Sequence, residues 1–105
     1  MRNNQIAMGP GKASLLEVIQ LKGSISAAAA SMGMSYKRAW DLVNIMNNSF
    51  SAPLVSTLIG GSKGGGAQVT NFGLQVLTQY RALELKANAL IKDEIGLLQA
   101  MLAAD

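Results

Sequence analysis

Apolar residues recur every three or four positions in several segments of the chain, and glycine, serine and proline separate these segments. This spacing places apolar side chains on one face of an α-helix. The pattern predicts a short strand at 5–8 and helices at about 12–21, 27–32 and 36–48. Gly23 and Gly33 would end the first two helices, and residues 47–49 with Pro53 would break the third.

Two serines lie where the second and third of these helices begin. Ser26 precedes a run of alanines, Ser35 precedes an amphipathic segment, and serine is a preferred N-cap residue. Small side chains on the earlier helix allow the later one to cross it closely. This is the arrangement of a helix-turn-helix, whose second helix enters the DNA major groove. That helix opens with Tyr36, Lys37 and Arg38, at the end that would meet base edges.

A β-hairpin is predicted directly after the helix-turn-helix. Residues 54–58 form one strand, residues 68–70 form its return partner, and a glycine-rich tip at 60–66 carries Lys63. A hairpin in this position is a wing, which contacts a neighbouring groove or the sugar-phosphate backbone. The tip could instead hold a nucleotide phosphate, but the order Ser-Lys-Gly followed by a strand is not that of a P-loop.

The last part of the chain is predicted to form one unbroken helix from Thr70, as its N-cap, to about Leu102. Such a helix of roughly 30 residues would extend about 45 Å, more than this small body could cover. Its apolar stripe therefore predicts a partner, most simply the same helix of a second copy. The alternative is that the stripe folds back onto the body. The predicted dimerisation residues are Leu77, Tyr80, Leu83, Leu90, Ile91, Ile95, Leu98 and Leu102.

Composition bounds the function classes. The 105 residues contain neither cysteine nor histidine, which removes the usual ligands of structural zinc and the base of a Ser-His-Asp triad. With few acids outside the tail, no catalytic set can be assembled, and an enzyme is not predicted. The N-terminal residues lack the apolar core of a signal peptide, and the uncharged segment 42–62 contains asparagines and a proline. We therefore expect no membrane association and a cytoplasmic protein.

Charge is distributed unevenly along the chain. Residues 1–83 carry seven cations and two anions, whereas residues 84–105 carry two cations and four anions. A basic body with an acidic tail is typical of a DNA-binding unit followed by a protein–protein element. We assign residues 1–70 to the winged helix-turn-helix and residues 71–105 to the dimerisation helix of the same structural unit.

Four segments, MGPGKASLLEVI, GSISAAAASMGMSYKRAWDLVN, PLVSTLIGGSKGGGAQVT and NFGLQVLTQYRAL, resemble the DNA-binding domain of the ModE family of molybdate-responsive transcriptional regulators. Its winged helix is related to that of LysR-type regulators. The resemblance covers residues 6–84 and implies a mainly α fold with a small β-hairpin. It also implies a homodimer that binds a palindromic DNA operator. No segment resembles the family's molybdate-binding β-barrels, so we expect no cofactor in this chain. Direct molybdate sensing by this chain is therefore not expected, and a separate effector-binding partner is left open.

The resemblance implies that DNA is contacted by the starts of the two helices and by the wing tip. The residues are Ser24, Ser26, Ser35, Tyr36, Lys37, Arg38, Ser62, Lys63, Gly64 and Gly65. A different function remains open, since winged helices also serve as protein docking modules without DNA specificity of their own.

Single residues in this region have ordinary structural interpretations as well. Lys37 and Arg38 could be solvated surface cations, and Tyr36 could pack against the wing. Trp40 is expected to lie mainly in the core. Asp41 could pair with a nearby cation or accept from a cytosine amino group, and we favour the ion pair.

Overall fold

The computed structural model describes residues 8–58 and 66–103, which contain five α-helices and one two-stranded sheet. The elements are α1 (Pro10–Lys22), α2 (Ile25–Ser31), α3 (Tyr36–Ser49), β1 (Val55–Leu58), β2 (Gly66–Val69), α4 (Asn71–Leu90) and α5 (Lys92–Ala100). The order is that of a winged helix-turn-helix, and the predicted fold class is confirmed. The predicted strand at 5–8 lies almost wholly outside the described residues, and Met8 itself is not in a strand.

Side-chain caps define the starts of three helices. The Ser35 hydroxyl accepts a hydrogen bond from the Arg38 amide at 3.0 Å, and Thr70 accepts one from the Gly73 amide at 2.9 Å, so both predicted caps are confirmed. The prediction that Ser26 caps α2 is wrong. Ser24 is the cap, accepting from the Ala27 amide at 3.0 Å, because this start places Ile25 in the core as the first helical residue.

Left-handed glycines end α1 and α2. Gly23 has φ 74° and its amide donates to the Ile19 carbonyl at 2.8 Å. Gly33 has φ 68°, and the following Met34 amide donates to the Ala29 carbonyl at 3.0 Å. Glycine adopts this conformation without steric cost, so both predicted helix ends are confirmed.

The core lies where α1, α2, α3 and the hairpin meet. Within the described residues all its fully buried members are apolar, and the largest are Leu15, Leu16, Ile19, Val43, Met46 and Leu54. Small residues occupy the crossing of α2 and α3, where Ala28, Ala29 and Ala39 are at most 2% exposed. A larger side chain at any of these positions would push the helices apart. The alanine run therefore sets how closely α3 lies against α2.

The hairpin is antiparallel, with Val55 opposite Val69 and Leu58 opposite Gly66. Both strands are attached to the helical body. On the β2 side, the Ala67 amide donates to the Gly23 carbonyl at 2.9 Å. On the β1 side, the side chain of Asn47 makes the attachment described below.

The first half of α4 packs on the body. The Thr70 hydroxyl donates to the Pro53 carbonyl at 2.8 Å. A Cβ added to Gly73 would lie 2.3 Å from the Leu54 carbonyl oxygen, so only glycine permits this close approach. Leu77 enters the core at 7% exposure, and Arg81 pairs with Glu17 of α1.

The prediction of one unbroken C-terminal helix is wrong. α4 ends at Leu90 and α5 begins at Lys92, with Ile91 between them at φ −104° and ψ 9°. Asp93 and Glu94 follow in the first turn of α5, and anionic side chains favour a helix start at that position. Every described residue from 85 to 103 is exposed, so this part of the stripe does not fold back onto the body.

Candidate nucleic-acid interface

The starts of α2 and α3 and the base of the hairpin come together at one surface. A small cavity of about 90 Å³ has Ser26, Tyr36, Trp40, Thr57 and Gly66 among its lining residues. It therefore joins the first turn of α2, the first turns of α3 and both strands. We refer to Ser26 and Tyr36, which line the cavity, together with the exposed Lys37 and Arg38 of the first turn of α3 as the α3-start surface. The structure brings Ser26 and Tyr36 together at the cavity, whereas Arg38 lines a separate groove with Gly9 and Met34.

The side-chain oxygens of Ser24 and Ser35 accept hydrogen bonds from backbone amides of their own helices. Each hydroxyl oxygen accepts a backbone amide hydrogen bond at 3.0 Å. The remaining first-turn amides of α3 have no intrahelical acceptor and carry the positive end of the helix dipole. Ser24 and Ser35 thus position α2 and α3, and each hydroxyl still has a hydrogen to donate.

Tyr36 and Trp40 form an edge-to-face pair on adjacent turns of α3. Their ring centroids lie 6.2 Å apart with planes at 80°. Trp40 is partly buried and packs against the core, in agreement with the prediction. Tyr36 is 53% exposed, so its ring is held from one side while much of it faces solvent. The pair supplies a rigid aromatic edge beside the two cations.

Lys37 and Arg38 differ in their surroundings. The Lys37 ammonium donates to the Asp41 carboxylate at 3.1 Å, and the two side chains are 85% and 58% exposed. The predicted pairing of Asp41 with a cation is thereby confirmed. An exposed pair of this kind contributes little stability, so Lys37 can exchange Asp41 for a phosphate at small cost. The Arg38 side chain is exposed and has no ion-pair partner among the described residues.

Asn47 positions the hairpin, a role that the sequence analysis missed. Its side-chain oxygen accepts from the amides of Leu54 at 2.8 Å and Val55 at 3.1 Å. Its amide group donates to the Val55 carbonyl at 3.1 Å. Asn47 was predicted to break α3, but the helix continues to Ser49. The sequence feature that could have predicted this role is the position of Asn47, in the last turn of a helix shortly before a strand. An asparagine there can bridge the two elements through its side chain.

Arg81 is a partly exposed cation that is paired within the protein. Its guanidinium bonds the carboxylates of Glu17 and Glu84 and lies 3.4 Å from the Ser14 hydroxyl. Hydrogen bonds to Glu17 and then Glu84 raise the pKa of Arg81 above its ordinary value. Of the seven cations in residues 1–83, this one joins α1 to α4 and does not contribute to the α3-start surface.

The structure tests the predicted dimerisation residues but not the predicted wing-tip residues. Ser62, Lys63, Gly64 and Gly65 lie outside the described residues, so their role stays a prediction. Leu77 is a core residue of its own chain and Tyr80 is partly buried against that core, which corrects their assignment to an exposed stripe. The remaining members of the set are exposed in the single chain: Leu83, Leu90, Ile91, Ile95, Leu98 and Leu102.

The described residues form neither a metal-ligand cluster nor a membrane-spanning helix. Among the described residues no three acidic side chains come close enough together to hold a metal ion. None of the described helices has the length and apolar character needed to cross a membrane.

Known proteins similar to this chain are molybdenum-related. The chain is 41% identical over 99 residues to the DNA-binding transcriptional dual regulator ModE of Escherichia coli, a match that covers 90% of this chain and 38% of that protein. It is 44% identical over 80 residues to the molybdenum transport protein ModE of Azotobacter vinelandii (76% and 30%). It is 48% identical over 77 residues to the molybdenum-pterin-binding protein MopB of Rhodobacter capsulatus (73% and 28%).

The matches cover most of this chain but only part of each relative. The chain spans between 28% and 38% of the length of these relatives, whose names describe regulators, a transport protein and a binding protein rather than enzymes. No protein-family model matches the chain. The identities, over most of the chain, show that this chain is homologous to part of the molybdenum-related proteins ModE and MopB.

Proposed function

We propose that this chain is a sequence-specific DNA-binding module of a transcriptional regulator, which binds a pseudo-palindromic operator as a homodimer. The observation that carries the proposal is the α3-start surface, where Tyr36 lies beside the hairpin and the exposed Lys37 and Arg38 follow it in the first turn of a capped helix. The similarity to regulators named ModE supports it.

Side chains at the start of α3 would determine sequence preference. With α3 in the major groove, the unpaired guanidinium of Arg38 is suited to a bidentate contact with a guanine, the commonest base-specific contact. The exposed edge of Tyr36 can meet a thymine methyl group or a phosphate. Lys37 would leave Asp41 for the DNA backbone, and the Asp41 carboxylate would then be available to a cytosine amino group.

Backbone contacts would position the module without specifying sequence. Ser26 at the start of α2 and Lys63 in the wing tip are the assigned phosphate contacts, with Gly64 and Gly65 allowing the main chain to approach closely. The attachment of both hairpin strands to the body, at Asn47 and at Gly23, supports a wing held at a fixed position relative to α3. Two modules on a two-fold axis would place their α3 helices in successive major grooves about 34 Å apart.

The test is selection of binding sites from a random pool of duplex DNA at physiological salt, followed by sizing of the selected complex. The expected result is an inverted repeat bound by two chains. Arg38→Ala serves as the matched variant and should select the repeat with relaxed preference at one or two positions per half-site. Failure of the folded protein to enrich any sequence would refute the proposal and favour a docking module.

A further inference from the structure

Helix α3 packs on the body through one stripe of residues and turns the opposite side outward. The buried stripe consists of Ala39, Val43 and Met46. On one flank of α3, Tyr36 and Trp40 line the small cavity at the hairpin. On the other flank, Arg38 and Leu42 line a groove of about 320 Å³ that includes the start of α1. The side of α3 between these two flanks, opposite the buried stripe, therefore faces away from the protein.

A row of exposed polar residues occupies this outward side. Helix positions three, four and seven residues apart share a face, and the exposed residues of α3 with this spacing are Lys37, Asp41, Asn44 and Asn48. We refer to these four residues as the outer ridge of α3. With α3 in the major groove, the outer ridge is the part of the helix that lies nearest to the base edges.

After the first turn of α3, the outer ridge carries only short side chains. Asp41, Asn44 and Asn48 each hold their polar group one methylene from the backbone. A helix with its side chains is about 10–12 Å across, and the major groove is about 12 Å wide, so long side chains along the ridge would keep the helix away from the groove floor. Short ones allow the backbone of α3 to approach closely, which brings the Asn44 amide within hydrogen-bonding reach of a base.

Asn44 differs from its neighbours on the ridge because its side chain has no partner. Lys37 and Asp41 pair with each other at 3.1 Å, and Asn48 interacts with another group of the chain. The Asn44 side chain makes no hydrogen bond within the described part of the chain. Asparagine is less favourable than alanine inside a helix, because its side chain competes for backbone hydrogen bonds. Neither packing nor helix stability therefore explains an asparagine at this position.

We propose that Asn44 is a specificity-determining residue that recognises one adenine in each half-site. This inference rests on the proposed DNA-binding function and adds a base contact to it. The Asn44 side-chain amide group donates to adenine N7, and its side-chain oxygen accepts from the adenine N6 amino group, the bidentate pairing typical of asparagine and adenine. Asn44 lies about 10 Å along the helix axis from Lys37. The adenine is therefore a separate base pair from those that the start of α3 contacts.

The first test compares binding-site selection by the wild-type chain and by Asn44→Ala. The variant should lose the preference for one A·T pair in each half-site. Its affinity for the wild-type operator should fall about 5- to 150-fold, the range of one bidentate base contact, while its affinity for random DNA should not change. Arg38→Ala is the matched comparison and should relax a different position. Urea unfolding of Asn44→Ala should show no loss of stability, because Asn44 is exposed and unpartnered.

The second test identifies the atoms of the contact at the position that Asn44→Ala relaxes. Asn44→Asp keeps the size of the side chain but loses the donor, and it should change the preference from adenine to cytosine, whose N4 amino group donates to a carboxylate. Replacing the adenine by 7-deazaadenine, in which carbon replaces N7, should weaken binding of the wild-type chain. The same replacement should leave binding of Asn44→Ala unchanged, since removal of both partners of one contact is not additive.

The outcomes separate this inference from the proposed function. An unchanged preference in the Asn44→Ala selection would overturn the inference. Equal weakening on operator and random DNA would also overturn it, because that result indicates a phosphate contact. In both cases the wild-type chain still selects an operator, and the proposed function stands. If the folded wild-type chain selects no sequence, the proposed function fails, and this inference fails with it.

Discussion

Asn47 joins the end of α3 to the start of β1, and its removal tests whether the hairpin is held by side-chain hydrogen bonds. The substitution Asn47→Ala deletes three of them, with lengths of 2.8, 3.1 and 3.1 Å. A typical protein hydrogen bond contributes about 1 kcal/mol net, and more when a partner is left unsatisfied away from water. We therefore expect the free energy of unfolding to fall by about 2–4 kcal/mol, which corresponds to roughly 10–20 °C in Tm for a domain of this size.

The assay is urea unfolding followed by circular dichroism and by the fluorescence of Trp40, the only tryptophan. Asn44→Ala is the matched control, because Asn44 is an exposed asparagine one turn earlier in α3 and the change in helix propensity is the same. Asn47→Asp keeps the oxygen that accepts from Leu54 and Val55 but loses the donor, so its loss of stability should be intermediate. If Asn47→Ala and Asn44→Ala differ by less than about 0.5 kcal/mol, the side-chain bridge does not hold the hairpin.

Three further expectations concern the same fold and surface. Gly73→Ala places a Cβ 2.3 Å from the Leu54 carbonyl oxygen and should destabilise the protein by about 1–3 kcal/mol. The control Gly96→Ala meets open space and should be neutral or stabilise by up to about 1 kcal/mol. Equal effects of the two substitutions in thermal unfolding would contradict the close approach at Gly73. Arg38→Ala should cost about 1–3 kcal/mol on the selected operator and much less on random DNA, and unchanged discrimination in a binding assay would remove Arg38 from the specificity set. Lys63→Ala should weaken binding to all sequences alike and reduce the slope of log K against log salt by about 1; a change of preference at undiminished affinity would disprove a phosphate contact.

The sequence predicted the parts of the fold whose cause is local. Ser35 and Thr70 cap helices, and Gly23 and Gly33 end them, because each acts through hydrogen bonds or backbone freedom within a few residues. The choice between Ser24 and Ser26 was different, since both have the same capping chemistry. Burial of Ile25 decides it, and burial is a property of the assembled body.

The C-terminal region shows where sequence periodicity stops being informative. Apolar spacing of three and four residues continues from Leu77 to Leu102, although the structure divides these residues among the core, partly buried positions and exposed positions. The same spacing also passes through Ile91 without marking the break there. Whether an apolar residue of the C-terminal region is covered depends on how far the helical body extends along the helix. The spacing of apolar residues does not give that distance. The candidate DNA contacts were located by motif, whereas the bridge made by Asn47 required its distances.

The apolar composition of the core has a consequence for how the protein responds to its surroundings. Among the described residues no charged or polar side chain is buried, and the ion pairs lie at least partly in solvent. Folding therefore gains little from ions or protons, while the proposed binding to DNA would depend on counterion release. Raising the ionic strength should weaken the proposed DNA binding at salt concentrations that leave the protein folded. A salt titration would therefore separate recognition from stability.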